Sequence, residues 1–174
     1  VLLDVLSRLF GEYGSNAQIE TLIDRKSNSG GASSDLARLN GSRFLTTGEN
    51  SYGSKINEGL IKQMTGGEKI TARFLYGKDF EYYPKFKIWL ATNHKPIIRG
   101  TDLGIWRRIV SIPFNVTIPI HKRDKMLVQK LLKEMPSILN WVIEGAVKYF
   151  NSSYVLPKAV ILSNDEYKKE MDVI

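Results

Sequence analysis

Four residues in this 174-residue sequence have types and positions suited to a phosphorylated ligand. Glu49 closes the run RFLTTGE, Asn93 closes KIWLATN, and Arg107-Arg108 stand downstream in GIWRRIV. A carboxylate at a strand tip can hold magnesium, directly or through water, and polarise an attacking water. A carboxamide at a neighbouring tip can orient that water or touch a γ-phosphate. A guanidinium can neutralise charge on a phosphoryl group in transfer. Each piece alone has a plainer reading: Glu49 as a solvated loop residue, Asn93 before His94-Lys95-Pro96 as turn chemistry, the arginines as a surface pair on a carboxylate. Their order joins them, because ligands of open α/β sheets bind beyond the carboxyl ends of strands.

A second group has a different chemistry. KITARFLYGKDFEYYP has two β-prone arms around Tyr76-Gly77-Lys78-Asp79 and reads as a hairpin. Tyr76, Lys78 and Phe80 set cation and aromatic groups near its tip, a combination that grips a single strand by phosphate contact and base stacking. Lys62, Lys69 and Arg73 lie on the approach. The plainer reading is a solvated hairpin with a lysine on its edge. The two histidines, His94 and His121, do not make a metal site; His94, beside Asn93, is placed to read a nucleotide.

The elements that must hold these groups follow from periodicity and turn chemistry. Leu2, Val5, Leu6 and Leu9 mark an amphipathic helix already under way at Val1, ended by Gly11 and Gly14. Ala17 to Ile23 fits a strand or a helix equally. Arg25 to Asp35 is a polar Gly/Ser loop, and Ser34 or Asp35 can cap a short helix through Leu39. Strands are expected over 43–47, 85–92 and 108–114, and helices over 56–64 and as a short turn at 102–106. From Arg123 to Phe150 the pattern is helical but interrupted at Pro136, so two helices are expected, with a polar helix over 159–171. The order suits a three-layer α/β core over 1–118 followed by a helical segment over 119–174.

Composition narrows the classes. There is no cysteine, so disulfides and thiolate metal sites are excluded. No apolar run reaches a membrane span of about 18 residues, no secretory leader is legible, and a reducing cytoplasm is the default. Twenty-five Lys and Arg against 18 Asp and Glu give +7, a charge that suits a polyanionic partner.

The stretch from Asp35 to Phe114 resembles the superfamily 3 helicases, specifically the helicase part of phage and plasmid primase–helicases. The text that carries the resemblance is DLARLNGSRFLTTGE, NEGLIKQMTGGEKITARFLYGKDFEYYPKFKIWLATNHKP and TDLGIWRRIVSIPF; LVQKLLKEMPSILNWVIEGAVKYF with its following LP is similar to the family's C-terminal segment. The resemblance implies an AAA+-like P-loop fold, ATP and Mg2+ as cofactors, single-stranded DNA as partner and a hexameric ring. It implies that Glu49 is the acidic end of the Walker B strand and Asn93 the polar sensor. Arg108 then matches the arginine finger acting on the next subunit's ATP, with Arg107 assisting. The family often has two adjacent acids where this sequence has Glu49-Asn50, so one carboxylate would do both jobs. It also implies that the hairpin lines the pore, with Lys78 and Tyr76 on DNA.

One expected part is missing. No Gly-x-x-x-x-Gly-Lys-Ser/Thr loop occurs; GSKINEGL lacks the glycine spacing and SNSGGASSD lacks the lysine. In the resembled family a helix like VLLDVLSRLF begins just after that loop. The expectation is therefore a helicase motor without its phosphate loop and the strand before it, inactive on ATP alone, with sheet strands left short of a neighbour. The parent activity would be ATP-driven translocation on DNA, serving a phage, prophage or plasmid in a bacterial cytoplasm. Two other functions fit the same residues: a non-catalytic DNA-binding or oligomerisation fragment, and an AAA+-type ATPase that remodels protein.

Overall fold

The computed structural model describes residues 1–24, 33–100, 102–152 and 155–172. Leu2–Phe10 (α1) buries Val5 and Leu6 and stops at Gly11, whose φ of 52° lies in the left-handed region that favours glycine. Gly14–Ala17 (β1) is a strand that reaches only the first residue of the ambiguous 17–23 segment; the rest is neither strand nor α-helix but a 3-10 turn at Ile19–Thr21 and an isolated bridge from Ile23 to Ile56. The 25–35 loop lies outside the described residues except for its end, where Ser34–Ala37 (α2) makes one helical turn. Phe44–Thr47 (β2) is buried along its whole length. Glu58–Thr65 (α3) starts at Asn57, whose Oδ1 accepts from Leu60 N at 3.0 Å. This is the N-cap bond that asparagine supplies well.

Ile70–Ala72 (β3) and Phe80–Tyr82 (β4) pair antiparallel as the expected hairpin. Lys87–Leu90 (β5) returns to β2. The main sheet has the order β1-β2-β5 and is parallel throughout, with Leu45 beside Ile88 and Thr47 beside Leu90. Parallel strands need cover on both faces. On one face Phe44 stacks on Phe10 of α1 at 4.9 Å and tilts against Trp89 at 5.6 Å. On the other, Ala17 and Leu45 join Ile61, Met64, Ile70, Phe86 and Ile105 in one core. Leu45, Met64, Ile70 and Ile105 are each at most 1% exposed, and each such side chain contributes about 1.5–3 kcal/mol on burial.

Leu103–Trp106 (α4) is a single turn capped by Asp102, whose Oδ1 accepts from Ile105 N at 3.1 Å. The strand expected over 108–114 does not form. β5 has a strand neighbour only on its β2 side, so this segment finds no ladder among the described residues. A side chain takes the ladder's place: Asn164 accepts from Ser111 N at 2.7 Å and donates to the Ile109 carbonyl at 3.2 Å. One carboxamide thus serves the donor and acceptor that a neighbouring peptide group would have met.

Leu127–Lys133 (α5) and Met135–Asn151 (α6), with proline in its first turn, contain no buried residue. A cavity of about 250 Å³ lies elsewhere, near Asp24, Lys55 and Arg99. A larger groove of about 470 Å³ runs between Leu6 and Phe10 of α1, Trp89 of β5 and Trp141 and Val142 of α6. Lys158–Asp172 (α7) comes back onto the α/β core: Val160, Ser163 and Tyr167 are buried, and Tyr167 belongs to the main core. No helix of the described residues is long and apolar enough to cross a membrane.

Candidate active site

The tips of β2 and β5 lie side by side because the two strands run parallel and in register. Two hydrogen bonds tie their continuations together. Asn93 Nδ2 donates to Glu49 Oε1 at 3.0 Å, with both residues exposed. One residue before Asn93 and one after Glu49, the Thr92 hydroxyl donates to Oδ1 of Asn50, which is only 4% exposed. Thr92 Oγ1 also accepts from His94 N at 3.0 Å, which folds the tip into a tight turn. Glu49 therefore presents one carboxylate oxygen to Asn93 and keeps the other toward solvent. Asn50 serves as a buried bracket for Thr92. Sequence reading missed the Thr92–Asn50 pair; an asparagine directly after a strand-end acid is the only signal it offered.

His94 does not bond to Asn93. Its ring meets that of Tyr52 edge to face at 5.6 Å, on the solvent side of the same tip.

The segment from Asn93 to Arg108 is braced at several points. Tyr167 of α7 donates from its hydroxyl to the Pro96 carbonyl, and Lys95 Nζ pairs with Glu170 at 2.8 and 2.9 Å. Glu58 Oε1, at the start of α3, accepts from both Arg99 N and Gly100 N at 2.8 Å. Trp106 Nε1 donates to Gly100 O at 2.9 Å, and the indole meets Tyr167 edge to face at 5.4 Å. Lys62 Nζ lies 2.7 Å from Asp102 Oδ2. Its hydrogen bond, with those from the α4 amides, holds the Asp102 carboxyl below its ordinary range. Burial pushes the Tyr167 phenol up.

The two arginines differ. Arg108 lies back across the end of α3: its Nε donates to Thr65 Oγ1 at 3.0 Å and its Nη1 to the Gly104 carbonyl. Arg107 is exposed, and its side chain makes no hydrogen bond or ion pair among the described residues.

The other predicted residues scatter around the hairpin. Tyr76 is 98% exposed at φ 60°, a left-handed conformation uncommon for a bulky residue. Lys78 is exposed and its side chain bonds to no described residue. Lys69 pairs with Glu81 across the hairpin at 2.8 Å, and Arg73 Nε sits 3.7 Å from Asp79 Oδ1. Lys62 faces α4 through its bond to Asp102 rather than standing free. The parallel register of β2 and β5 thus brings Glu49 and Asn93 together, and the connection between β3 and β4 carries both Tyr76 and Lys78.

Among the described residues no group of three His, Cys, Asp or Glu could hold a metal. The donor set at the strand tips is one carboxylate. It fits a magnesium ion that takes its remaining ligands from phosphate and water.

No family model matches the chain. Its sequence is similar to viral proteins, each described as a "putative helicase". One, from Acanthamoeba polyphaga mimivirus, is 30% identical over 189 residues, covering 99% of this chain and 20% of the viral protein. One from Frog virus 3 is 28% identical over 188 residues, covering 97% of this chain and 19% of that protein. One from Invertebrate iridescent virus 6 is 32% identical over 102 residues, covering 51% of this chain and 10% of that protein. The chain thus spans about a fifth of the length of the first two curated relatives it matches. Among solved structures it is similar to the apo C-terminal region (305–718) of NrS-1, with a TM-score of 0.49 at 17% identity over 98% of this chain and 38% of that one. The chain is helicase-related in sequence and mixed α/β in fold, with a parallel sheet.

Proposed function

We propose that these residues are the hydrolysis and strand-contact half of an ATP-driven motor on single-stranded DNA, of the superfamily 3 helicase type with an AAA+-like core. The observation that supports this most is the Glu49–Asn93 hydrogen bond across the carboxyl ends of two parallel strands. That is where an α/β sheet binds its ligand. Glu49 keeps an oxygen for magnesium or an attacking water, and Asn93 holds the carboxylate in place. ATP and Mg2+ would be completed by a phosphate loop that this chain does not contain, and the cation for the transferring phosphoryl group would come from a neighbouring subunit in a ring. The exposed Tyr76 and Lys78 supply stacking and phosphate contact.

The helicase descriptions of the viral relatives agree with this reading. A longer chain that includes a phosphate loop should hydrolyse ATP, faster with single-stranded DNA, and Glu49→Gln should abolish that activity. The 174 residues alone should not hydrolyse ATP. ATP hydrolysis by the short chain would overturn the placement of the phosphates. DNA binding without hydrolysis by the longer chain would replace the motor with a binding module.

A further inference from the structure

α7 commits one face to one segment of the chain. Ser163, Asn164, Tyr167, Glu170 and Met171 recur at the three- and four-residue spacing of a single helix face. Among the described residues, every hydrogen bond of those side chains to another element goes to residues 95–111. Asn164 meets Ile109 O and Ser111 N, and the Ser163 and Ser111 hydroxyls bond to each other at 2.8 Å. Tyr167 donates to the Pro96 carbonyl and sets its ring edge to face on Trp106. Glu170 takes Lys95, and the Met171 sulfur accepts from Ile98 N at 3.5 Å.

The helix therefore bears on both ends of the stretch that runs from Asn93 to Arg108. Lys95 lies just past the first end and Ile109 just past the second. Asn164 and Met171 are separated by about 10 Å of helix, a rod that spans the two contacts. No strand ladder does this work among the described residues, because β5 pairs with β2 alone. α6, which precedes α7, contains no buried residue, so the place of α7 is set by what it docks on. The Glu49–Asn93 bond needs such support. Both residues are exposed, and holding exposed side chains in one geometry costs rotamer freedom. The Thr92–Asn50 bond steadies the chain before Asn93; α7 steadies it after.

We infer that Tyr167, Asn164 and Glu170 are positioning residues: α7 is a strut that holds the residues after Asn93 so that its carboxamide meets Glu49, and it ties that tip to the 109–111 end so that the two move together. The effect on turnover rests on the motor reading above; the coupling between the two ends does not.

The coupling is read by amide hydrogen exchange in the 174-residue chain. Asn164→Ala acts at the 109–111 end. It should also speed exchange of His94, Ile97 and Ile98, at the other end, by about 5-fold, the scale of one lost hydrogen bond carried through the helix. Ile97 N bonds to Ser54 O and not to α7, so its response reports movement of the segment itself. Asn164→Asp keeps an acceptor for Ser111 N, loses the donor to Ile109 O, and serves where Asn164→Ala does not fold. Faster exchange confined to 109–111 overturns the strut.

Turnover is read in the longer chain that includes a phosphate loop, with single-stranded DNA present. Tyr167→Phe keeps the ring and removes the bond to Pro96 O. It should lower kcat by about 3- to 10-fold with KM for ATP unchanged, the split of a misplaced group rather than a lost binding contact. With Asn93→Ala already in place, Tyr167→Phe should lower kcat by no more than about 2-fold, because it acts through Asn93. An equal loss in both backgrounds, or a lower unfolding temperature with kcat intact, overturns the positioning role. A wild-type longer chain that hydrolyses no ATP overturns the motor reading and with it the role of Tyr167 in turnover, while the exchange result alone decides the coupling.

Discussion

Asn93 donates from Nδ2 to Oε1 of Glu49 at 3.0 Å, so the ends of β5 and β2 meet through a charge-assisted hydrogen bond at the open end of the sheet. Removing the donor leaves the carboxylate free to swing. Asn93→Ala in the ATPase-competent longer chain is expected to lower kcat by about 10²- to 10³-fold, the usual effect of losing one preorganised donor. Asn93→Asp, which sets two carboxylates against each other, should be at least as severe. Steady-state ATP hydrolysis with nucleotide binding measured in parallel checks both: binding should persist while turnover falls.

The bracket beneath that pair is a stability feature. Thr92→Val takes the donor from Asn50 Oδ1, which is buried. Stranding such an acceptor costs about 1–3 kcal/mol. Urea unfolding should show a midpoint lowered accordingly with the slope unchanged.

Two tyrosines should betray the packing of α7 and the hairpin at high pH. Tyr82 donates to the Leu36 carbonyl at 2.6 Å, and burial pushes its phenol up to about 12; Tyr167 is raised as well. A phenol with a folded pKa above its unfolded value near 10 favours the folded state fully below that value. The contribution is then lost as pH rises from about 10 through 12. Tyrosinate absorbance during alkaline titration should show a late component that coincides with unfolding. Tyr82→Phe should remove part of it and, by leaving Leu36 O unpaired, cost about 1 kcal/mol at neutral pH.

The hairpin tip makes the opposite kind of prediction. Tyr76 and Lys78 are exposed and bond to nothing among the described residues, so their loss should not lower the unfolding temperature. Tyr76→Gly should even stabilise slightly, because it relieves a left-handed φ at a non-glycine position. Binding to single-stranded DNA should respond differently to the two changes. Lys78→Ala should reduce the salt slope by about 0.7, the share of one phosphate contact. Tyr76→Ala should cost about 1–3 kcal/mol through a lost stacking platform with the slope intact. Fluorescence anisotropy at several salt concentrations separates them.

Much of this architecture was legible in order and type. Helical spacing in VLLDVLSRLF and apolar runs in RFLTT and KIWLA are local signals, and α1, β2 and β5 fall where those signals are. The hairpin and the Asp102 cap are also local. The expected strand over 108–114 was not realised because its alternation of apolar residues says only that it suits a sheet. A strand needs a partner with free N–H and C=O groups, and here Asn164, more than fifty residues on, supplies a carboxamide instead.

The sequence by itself determined which residues can do the chemistry: one acid, one amide and two arginines, each near an apolar run that could carry it, and an aromatic and a lysine near a turn. Tertiary structure alone decided how they are used. Parallel register brought Glu49 and Asn93 to one end of the sheet. The return of α7 placed Tyr167 and Glu170 against the loop that follows Asn93. The docking of α4 on α3 gave Arg108 two intramolecular acceptors and the Arg107 side chain none among the described residues. The physical reason is that a side chain's type is a property of its own residue, whereas its partners are set by packing between segments far apart in the chain. Asn50 and Arg108 become brackets only once the strands and helices that surround them have met.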